Sequence, residues 1–105
     1  MRTALIRYRV KPGRAEENAD LVRAVYDELR RTEPAGLRYA TFCLDDGVSF
    51  VHLSSVETDD GRNPLSDVEA FARFQDGIGD RCVQGPAVAP LVPGASSPVA
   101  EGSAA

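Results

Sequence analysis

The stretch "LRYATFCLDDGVSFVHLSSVE", residues 37–57, carries two runs of β-branched and aromatic residues on either side of Asp46-Gly47. That pair supplies the positive backbone φ angles of a two-residue type I′ turn, so the chain is expected to fold back on itself there as a β-hairpin. Counting outward from the turn sets the register: Asp45 faces Val48, Cys43 faces Phe50, Thr41 faces His52, Tyr39 faces Ser54 and Leu37 faces Val56. Because strand side chains alternate, these residues share one face, mixed polar and aromatic. Ala40, Phe42, Val51 and Leu53 form the apolar centre of the other face.

Upstream, "TALIRYRV" (3–10) alternates in the same way, with Ala4, Ile6, Tyr8 and Val10 on one side and Leu5, Arg7 and Arg9 on the other. This is the period of a strand. "KPG" (11–13) breaks it, and residues 14–32 place Leu21, Val22, Val25, Tyr26 and Leu29 on one stripe of an amphipathic helix. Glu16 and Glu17 in its first turn and Arg30 and Arg31 in its last suit the helix dipole, and Asp27 and Arg31 are spaced as an i,i+4 pair. Pro34 and Gly36 end it.

Downstream, "SDVEAFARFQDGIGDRC" (66–82) opens with Ser66 and Glu69 at capping-box spacing. Val68, Phe71, Gln75, Ile78 and Cys82 then recur at helical spacing with Phe74 beside them, and Gly77 and Gly79 weaken the last turns. "PAVAPLV" (86–92) is a short last strand, placed at a sheet edge because Pro86 and Pro90 cannot donate to a ladder. Residues 93–105 are small, polar and rich in Pro and Gly, the composition of a disordered tail.

The order β-α-β-β-α-β is the ferredoxin-like arrangement of the α+β class: a four-stranded antiparallel sheet with both helices on one face. It makes one domain of residues 1–92. Two helices cover only one side of the sheet. The other side presents about 400 to 450 Å² of projected sheet with an apolar centre, as large as the biggest patches usual on monomers. Burial against a second copy is the economical solution, so a homodimer through the open sheet face, closing a dimeric α/β barrel, is expected.

Composition excludes other classes. Across 105 residues, twelve basic and sixteen acidic side chains give a net charge of -4, and the basic ones are scattered, which argues against nucleic-acid binding. No run approaches a membrane span and the start lacks the pattern of a signal peptide, so a cytoplasmic protein is expected. Cys43 and Cys82 lie far apart with no C-x-x-C spacing and a single histidine in the chain, so no metal site and no disulfide are expected. Both are expected to be buried small hydrophobes.

"VKPG" (10–13) at the end of the first strand, the Asp-Gly hairpin and "EAFARF" (69–74) in the second helix resemble the dimeric α/β-barrel superfamily, in particular its antibiotic biosynthesis monooxygenase-like branch. The resemblance runs from residue 3 to about residue 92. It implies two ferredoxin-like subunits packed sheet to sheet, each with a pocket between sheet and helices. It also implies a range of activities: cofactor-free oxygenation of polycyclic phenols, haem degradation, small isomerisations, or none. The oxygenating and haem-degrading members resemble one another in a tryptophan and an asparagine near the pocket, and the haem degraders add a histidine on the second helix. This chain has no tryptophan, and Phe74 or Gln75 stands where that histidine belongs, which points away from haem.

If the polar-aromatic face turns toward the helices, it gathers Tyr39, Thr41, Phe50, His52 and Ser54, with Tyr8 beside them and Phe71, Phe74 and Gln75 above. Such a set suits a small aromatic or polyketide-like ligand with no cofactor. His52 is the candidate base toward a phenol, enol or activated methylene, and Tyr39 and Tyr8 are candidates to orient the substrate or donate to a developing oxyanion. The alternative is a non-catalytic ligand-binding or stress-related barrel, in which His52 is packed with its ring bonded to a tyrosine hydroxyl or a carbonyl. A cofactor-free isomerase or cyclase is the third possibility. Arg81 is expected to be an exposed helix-end residue, the alternative being an approach to the pocket mouth to bind an anionic group.

Overall fold

The computed structural model describes residues 2–92. Its elements are β1 (Arg2–Val10), α1 (Ala15–Thr32), β2 (Leu37–Cys43), β3 (Ser49–Val56), α2 (Glu69–Gln75), α3 (Ile78–Arg81) and β4 (Cys82–Leu91), with a 3-10 turn at Pro64–Asp67 before α2. The strands form one antiparallel sheet in the order β2-β3-β1-β4. This is the ferredoxin-like α+β arrangement, with the helices on one face. The expected tail, residues 93–105, lies outside the described residues.

Alternation decides which side chains meet the helices. On β1, Tyr8 and Val10 are buried while Arg7 and Arg9 are exposed, and on β3 Phe50, His52, Ser54 and Val56 are buried. Against them α1 packs Val22 and Val25, and α2 packs Ala70 and Phe74, completing one core with Leu65, Val68 and Cys82.

The hairpin has the register expected from its sequence, Thr41 opposite His52 and Cys43 opposite Phe50, but a different turn. Only Gly47, at φ 78°, takes a positive φ, so the turn is not type I′, which needs two such residues. Asp46 instead accepts from the N–H groups of Val48 (2.9 Å) and Ser49 (2.8 Å) and from the Ser49 hydroxyl (2.5 Å). The loop is longer by one residue on each strand, and a symmetric change leaves the pairing unaltered.

Three other expectations change. The helix expected over 66–82 is instead the end of the 3-10 turn followed by two short helices, because Gly77 adopts φ 75° and divides α2 from α3, and Cys82 already belongs to β4. The Ser66–Glu69 capping box does not form: Val68 is the N-cap residue, and the first N–H groups of α2 are held from α1. Asp27 pairs with Arg30 at 2.5 Å, one position nearer than Arg31.

β4 starts four residues earlier than expected and lies at the sheet edge, consistent with its prolines. Cys82 is buried but Cys43 is exposed, since it ends β2 beyond the cover of the helices.

Among the described residues, no helix covers the far face of the sheet. Its central row runs Ala89, Leu5, Leu53 and Ala40 across β4, β1, β3 and β2, and the next row carries Val51 and Phe42, the latter 55% exposed. Among the described residues, no helix is long and apolar enough to cross a membrane.

Candidate functional site

β1 and β3 occupy the centre of the sheet, and their helix-facing residues Tyr8, Val10, Phe50, His52 and Ser54 are buried. Ile6 stands opposite His52, which stands opposite Thr41, and Tyr8 stands opposite Phe50. His52 is 3% exposed, and both its ring nitrogens are engaged. Nε2 meets the Tyr8 hydroxyl at 2.7 Å and Nδ1 meets the Tyr39 hydroxyl. The ring stacks on Phe74, with centroids 5.2 Å apart.

Burial lowers the His52 pKa to about 4, so the ring is neutral at pH 7. Burial likewise pushes the Tyr8 hydroxyl well above the ordinary phenol range, against a hydrogen bond from Asn18. Tyr39 is raised by burial and then by the neighbouring Tyr26 phenol, against a hydrogen bond from Thr41.

Two residues behind this trio were not legible as site residues. Asn18, on α1, is fully buried and donates from Nδ2 to the Tyr8 hydroxyl at 2.8 Å. Arg81, expected on the surface, is 2% exposed. The break at Gly77 turns it inward: it donates from Nη2 to the Phe74 carbonyl (2.5 Å), from Nη1 to the Asp76 carbonyl (3.1 Å) and from Nε to Asn18 Oδ1 (3.3 Å). Its guanidinium lies 5.4 Å from the Phe74 ring centroid. One signal for Asn18 stands in the sequence, since it lies four residues before Val22 and seven before Val25, on the buried stripe of an amphipathic helix.

A cavity of about 370 Å³ opens between the sheet and α2. Of the residues expected at the site, Tyr39, His52, Ser54, Phe71, Phe74 and Gln75 line it. Ile6, Leu65, Ile78 and Val88 add apolar wall, and Asn63 from the loop before α2 adds a polar group that sequence reasoning missed. Gln75 is exposed, so it stands at the rim and not, as its place in an apolar seam suggested, in the interior.

Three expected residues do not line the cavity. Tyr8 lies behind His52, Phe50 stacks on Tyr8 at 5.5 Å, and Thr41 accepts from the Tyr26 hydroxyl at 3.1 Å. A larger depression of about 540 Å³ lies at the hairpin end of the sheet, lined by Arg7, Arg9, Asp46 and Gln84 among others. The smaller cavity is the candidate site, because aromatic and apolar walls with a few convergent polar groups are the usual make-up of a small-molecule pocket. Among the described residues, no three His, Cys, Asp or Glu side chains gather where they would hold a metal ion.

The sequence matches no family model and no curated protein. Solved structures do match. An antibiotic biosynthesis monooxygenase superposes with a TM-score of 0.72 at 21% identity, covering 90% of this chain and 100% of that one. The protein PA3566 from Pseudomonas aeruginosa gives 0.70 at 24% identity over 90% and 94% of the two chains. A mutant of SnoaB, a cofactor-independent oxygenase from Streptomyces nogalater, gives 0.67 at 14% identity over 93% and 97%. The chain therefore has the ferredoxin-like fold shared by antibiotic biosynthesis monooxygenase-like structures.

Proposed function

We propose that the protein is a cofactor-independent, monooxygenase-like enzyme acting on a small aromatic or polyketide-type substrate, and that it works as a homodimer joined through the open sheet face. The observation that carries the reading is the Tyr39 hydroxyl, held by a neutral histidine at the wall of an aromatic cavity. The names of SnoaB and of the other monooxygenase matched in fold support it.

His52, expected as the base, enters in a different role. With both ring nitrogens bonded to tyrosines and its pKa lowered, it acts on the substrate through Tyr39. Tyr39 hydrogen-bonds the substrate oxygen as that oxygen gains charge, a stabilisation strongest in a site shielded from water. For an anthrone-type methylene the proton passes to water at the cavity mouth. The resulting carbanion supplies the electrons that reduce O₂, a carbon–oxygen bond forms, and the peroxide anion takes a proton back from water to give the hydroperoxide. The hydroperoxide then loses water to leave a quinone, so one oxygen atom enters the product and the other leaves as water. Phe71 and Phe74 supply flat walls for the rings, and Ser54, Asn63 and Gln75 supply contacts for peripheral oxygens.

The burial of His52, with both ring nitrogens bonded to tyrosines, favours one rival, a non-catalytic binding protein. Oxygen uptake with 1,8-dihydroxy-9-anthrone, measured on wild type, Tyr39→Phe and His52→Ala, separates the two. Uptake that falls about tenfold or more in both variants supports the enzyme, as expected for a lost oxyanion contact. Binding without uptake supports the rival, and rates unaffected by Tyr39→Phe remove Tyr39 from the chemistry.

A further inference from the structure

Arg81, Asn18, Tyr8, His52 and Tyr39 form one unbroken line of hydrogen bonds that ends at the cavity wall. Its first member can only donate. A guanidinium has no acceptor atom, so Arg81 Nε requires the carbonyl oxygen of Asn18, and the amide must then turn its NH₂ toward Tyr8. The Tyr8 oxygen is thereby an acceptor. Its own hydrogen has one remaining partner among the described residues, His52 Nε2 at 2.7 Å.

A neutral imidazole that accepts at Nε2 carries its proton on Nδ1, and that proton points to the Tyr39 oxygen. The Tyr39 oxygen thus accepts from His52, while no protein group among the described residues accepts its hydrogen. The opposite direction would bring His52 Nε2–H to the Tyr8 oxygen beside the Asn18 donor, leaving the Tyr8 hydrogen buried and unpaired.

We propose that Arg81 and Asn18 are positioning residues that impose one direction on this line, so that Tyr39 offers its hydrogen to a carbonyl or phenolate oxygen of the ligand. The proposal rests on the ligand occupying the cavity beside Tyr39, as under the proposed function, but makes no use of O₂ chemistry. It also states what His52 does: it keeps Tyr39 a donor.

His52 is the only histidine in the chain, so isotope labelling of histidine ring nitrogens gives the signals of one imidazole. In the full-length wild type, NMR is expected to place its proton on Nδ1. Asn18→Asp keeps the size of the side chain and a partner for Arg81, but replaces the amide donor by a second acceptor. Tyr8 then donates to Asp, and the whole line reverses: the imidazole proton is expected on Nε2, and Tyr39 is turned back onto Nδ1. Binding of 1,8-dihydroxyanthraquinone, followed by its absorbance, is expected to weaken about fivefold or more in Asn18→Asp and in Tyr39→Phe. Tyr39→Phe is expected to leave the proton on Nδ1.

A wild-type proton on Nε2, an Asn18→Asp variant that folds without exchanging the protonated nitrogen, or wild-type binding no tighter than that of Tyr39→Phe would each overturn the proposal. If Asn18→Asp does not fold, the wild-type tautomer and the Tyr39→Phe binding decide it. The expected tautomers and binding without oxygen uptake would uphold the proposal while rejecting the monooxygenase. Uptake by a wild type protonated at Nε2 would do the reverse.

Discussion

The Glu28 side chain on α1 accepts from the backbone N–H of Ala70 at 2.9 Å and, with its other oxygen, from that of Glu69 at 3.1 Å, capping α2 from a neighbouring helix. Val68, at the N-cap position, has no side-chain oxygen to do this itself. The hydrogen bond from Ala70, foremost, holds the Glu28 pKa below its ordinary value of 4.5. A lowered carboxylate stabilises the fold above its unfolded pKa, and that contribution is lost as pH falls through the folded one. Glu28→Ala is therefore expected to lower Tm at pH 7, and Glu28→Gln to lower it less, with both gaps narrowing below about pH 4. Thermal unfolding followed by circular dichroism at the two pH values checks it; a gap independent of pH would show that the charge is immaterial.

Tyr8→Phe removes the hydroxyl between Asn18 Nδ2 and His52 Nε2, all three residues being buried. Two polar atoms lose their partner while the ring contacts with Phe50 and Phe74 remain. The expected loss of stability is about 2 kcal/mol, the scale for leaving buried groups unsatisfied, to be read by urea unfolding. A change under about 0.5 kcal/mol would mean that water replaces the hydroxyl.

These residues also mark where sequence reading succeeds and stops. Strand pairing was legible because the two β-rich runs are centred on Asp46-Gly47 and the actual loop lengthens equally on both sides, which preserves the counted register; the turn type, set by the Asp46 side chain, was not. Tyr39, His52, Phe71 and Phe74, which line one cavity, could be grouped from spacing only on the condition that the polar-aromatic face turns toward the helices, and the pocket itself was implied by the family resemblance. Arg81 could not, because its inward turn depends on how Gly77 breaks the helix and on the carbonyls of Phe74 and Asp76 that the break leaves open. Local pattern reports which face a residue occupies within an element. It does not report where a short element ends.

The neutral state of His52 has a consequence for acid stability. Its pKa is lowered from 6.5 to about 4, so between those values the unfolded chain binds a proton that the folded chain does not. Stability then falls as pH falls through that window and levels off below it. A shift of this size corresponds to roughly 3 kcal/mol. His52→Gln, which carries no titratable group, is expected to lack this part of the decline. Urea unfolding at half-unit steps from pH 7 to pH 4 gives the difference; parallel curves for the two proteins would contradict a buried neutral imidazole.

Gly36 sits where β2 begins and β3 ends. Its φ is 78°, its carbonyl accepts from the Glu57 N–H at 2.8 Å, and a Cβ built there would lie 2.3 Å from the Glu57 carbonyl oxygen. Both the backbone conformation and the space exclude a side chain. Gly36→Ala is expected to cost about 2 kcal/mol or more, again by urea unfolding. Gly47→Ala tests the contribution of φ alone, since Gly47 has φ 78° but nothing within 4 Å of its Cβ position, and its cost is expected to be about 1 kcal/mol.

The open face of the sheet gives the test of the dimer. Leu53 lies at its centre, between Leu5 on β1 and Ala40 on β2, and it points away from the helices because its neighbours His52 and Ser54 point toward them. An arginine there leaves the core untouched but places a charge in the middle of the proposed interface, where a buried unpaired charge costs several kcal/mol. Leu53→Arg is expected to weaken self-association at least about thirtyfold while circular dichroism stays that of the wild type. Sedimentation equilibrium of both proteins is the measurement. A wild type that sediments as a single chain at micromolar concentration removes the dimer. A Leu53→Arg variant that remains dimeric moves the contact to another surface, and leaves Phe42, 55% exposed beside Val51, without the cover that a sheet-to-sheet interface supplies.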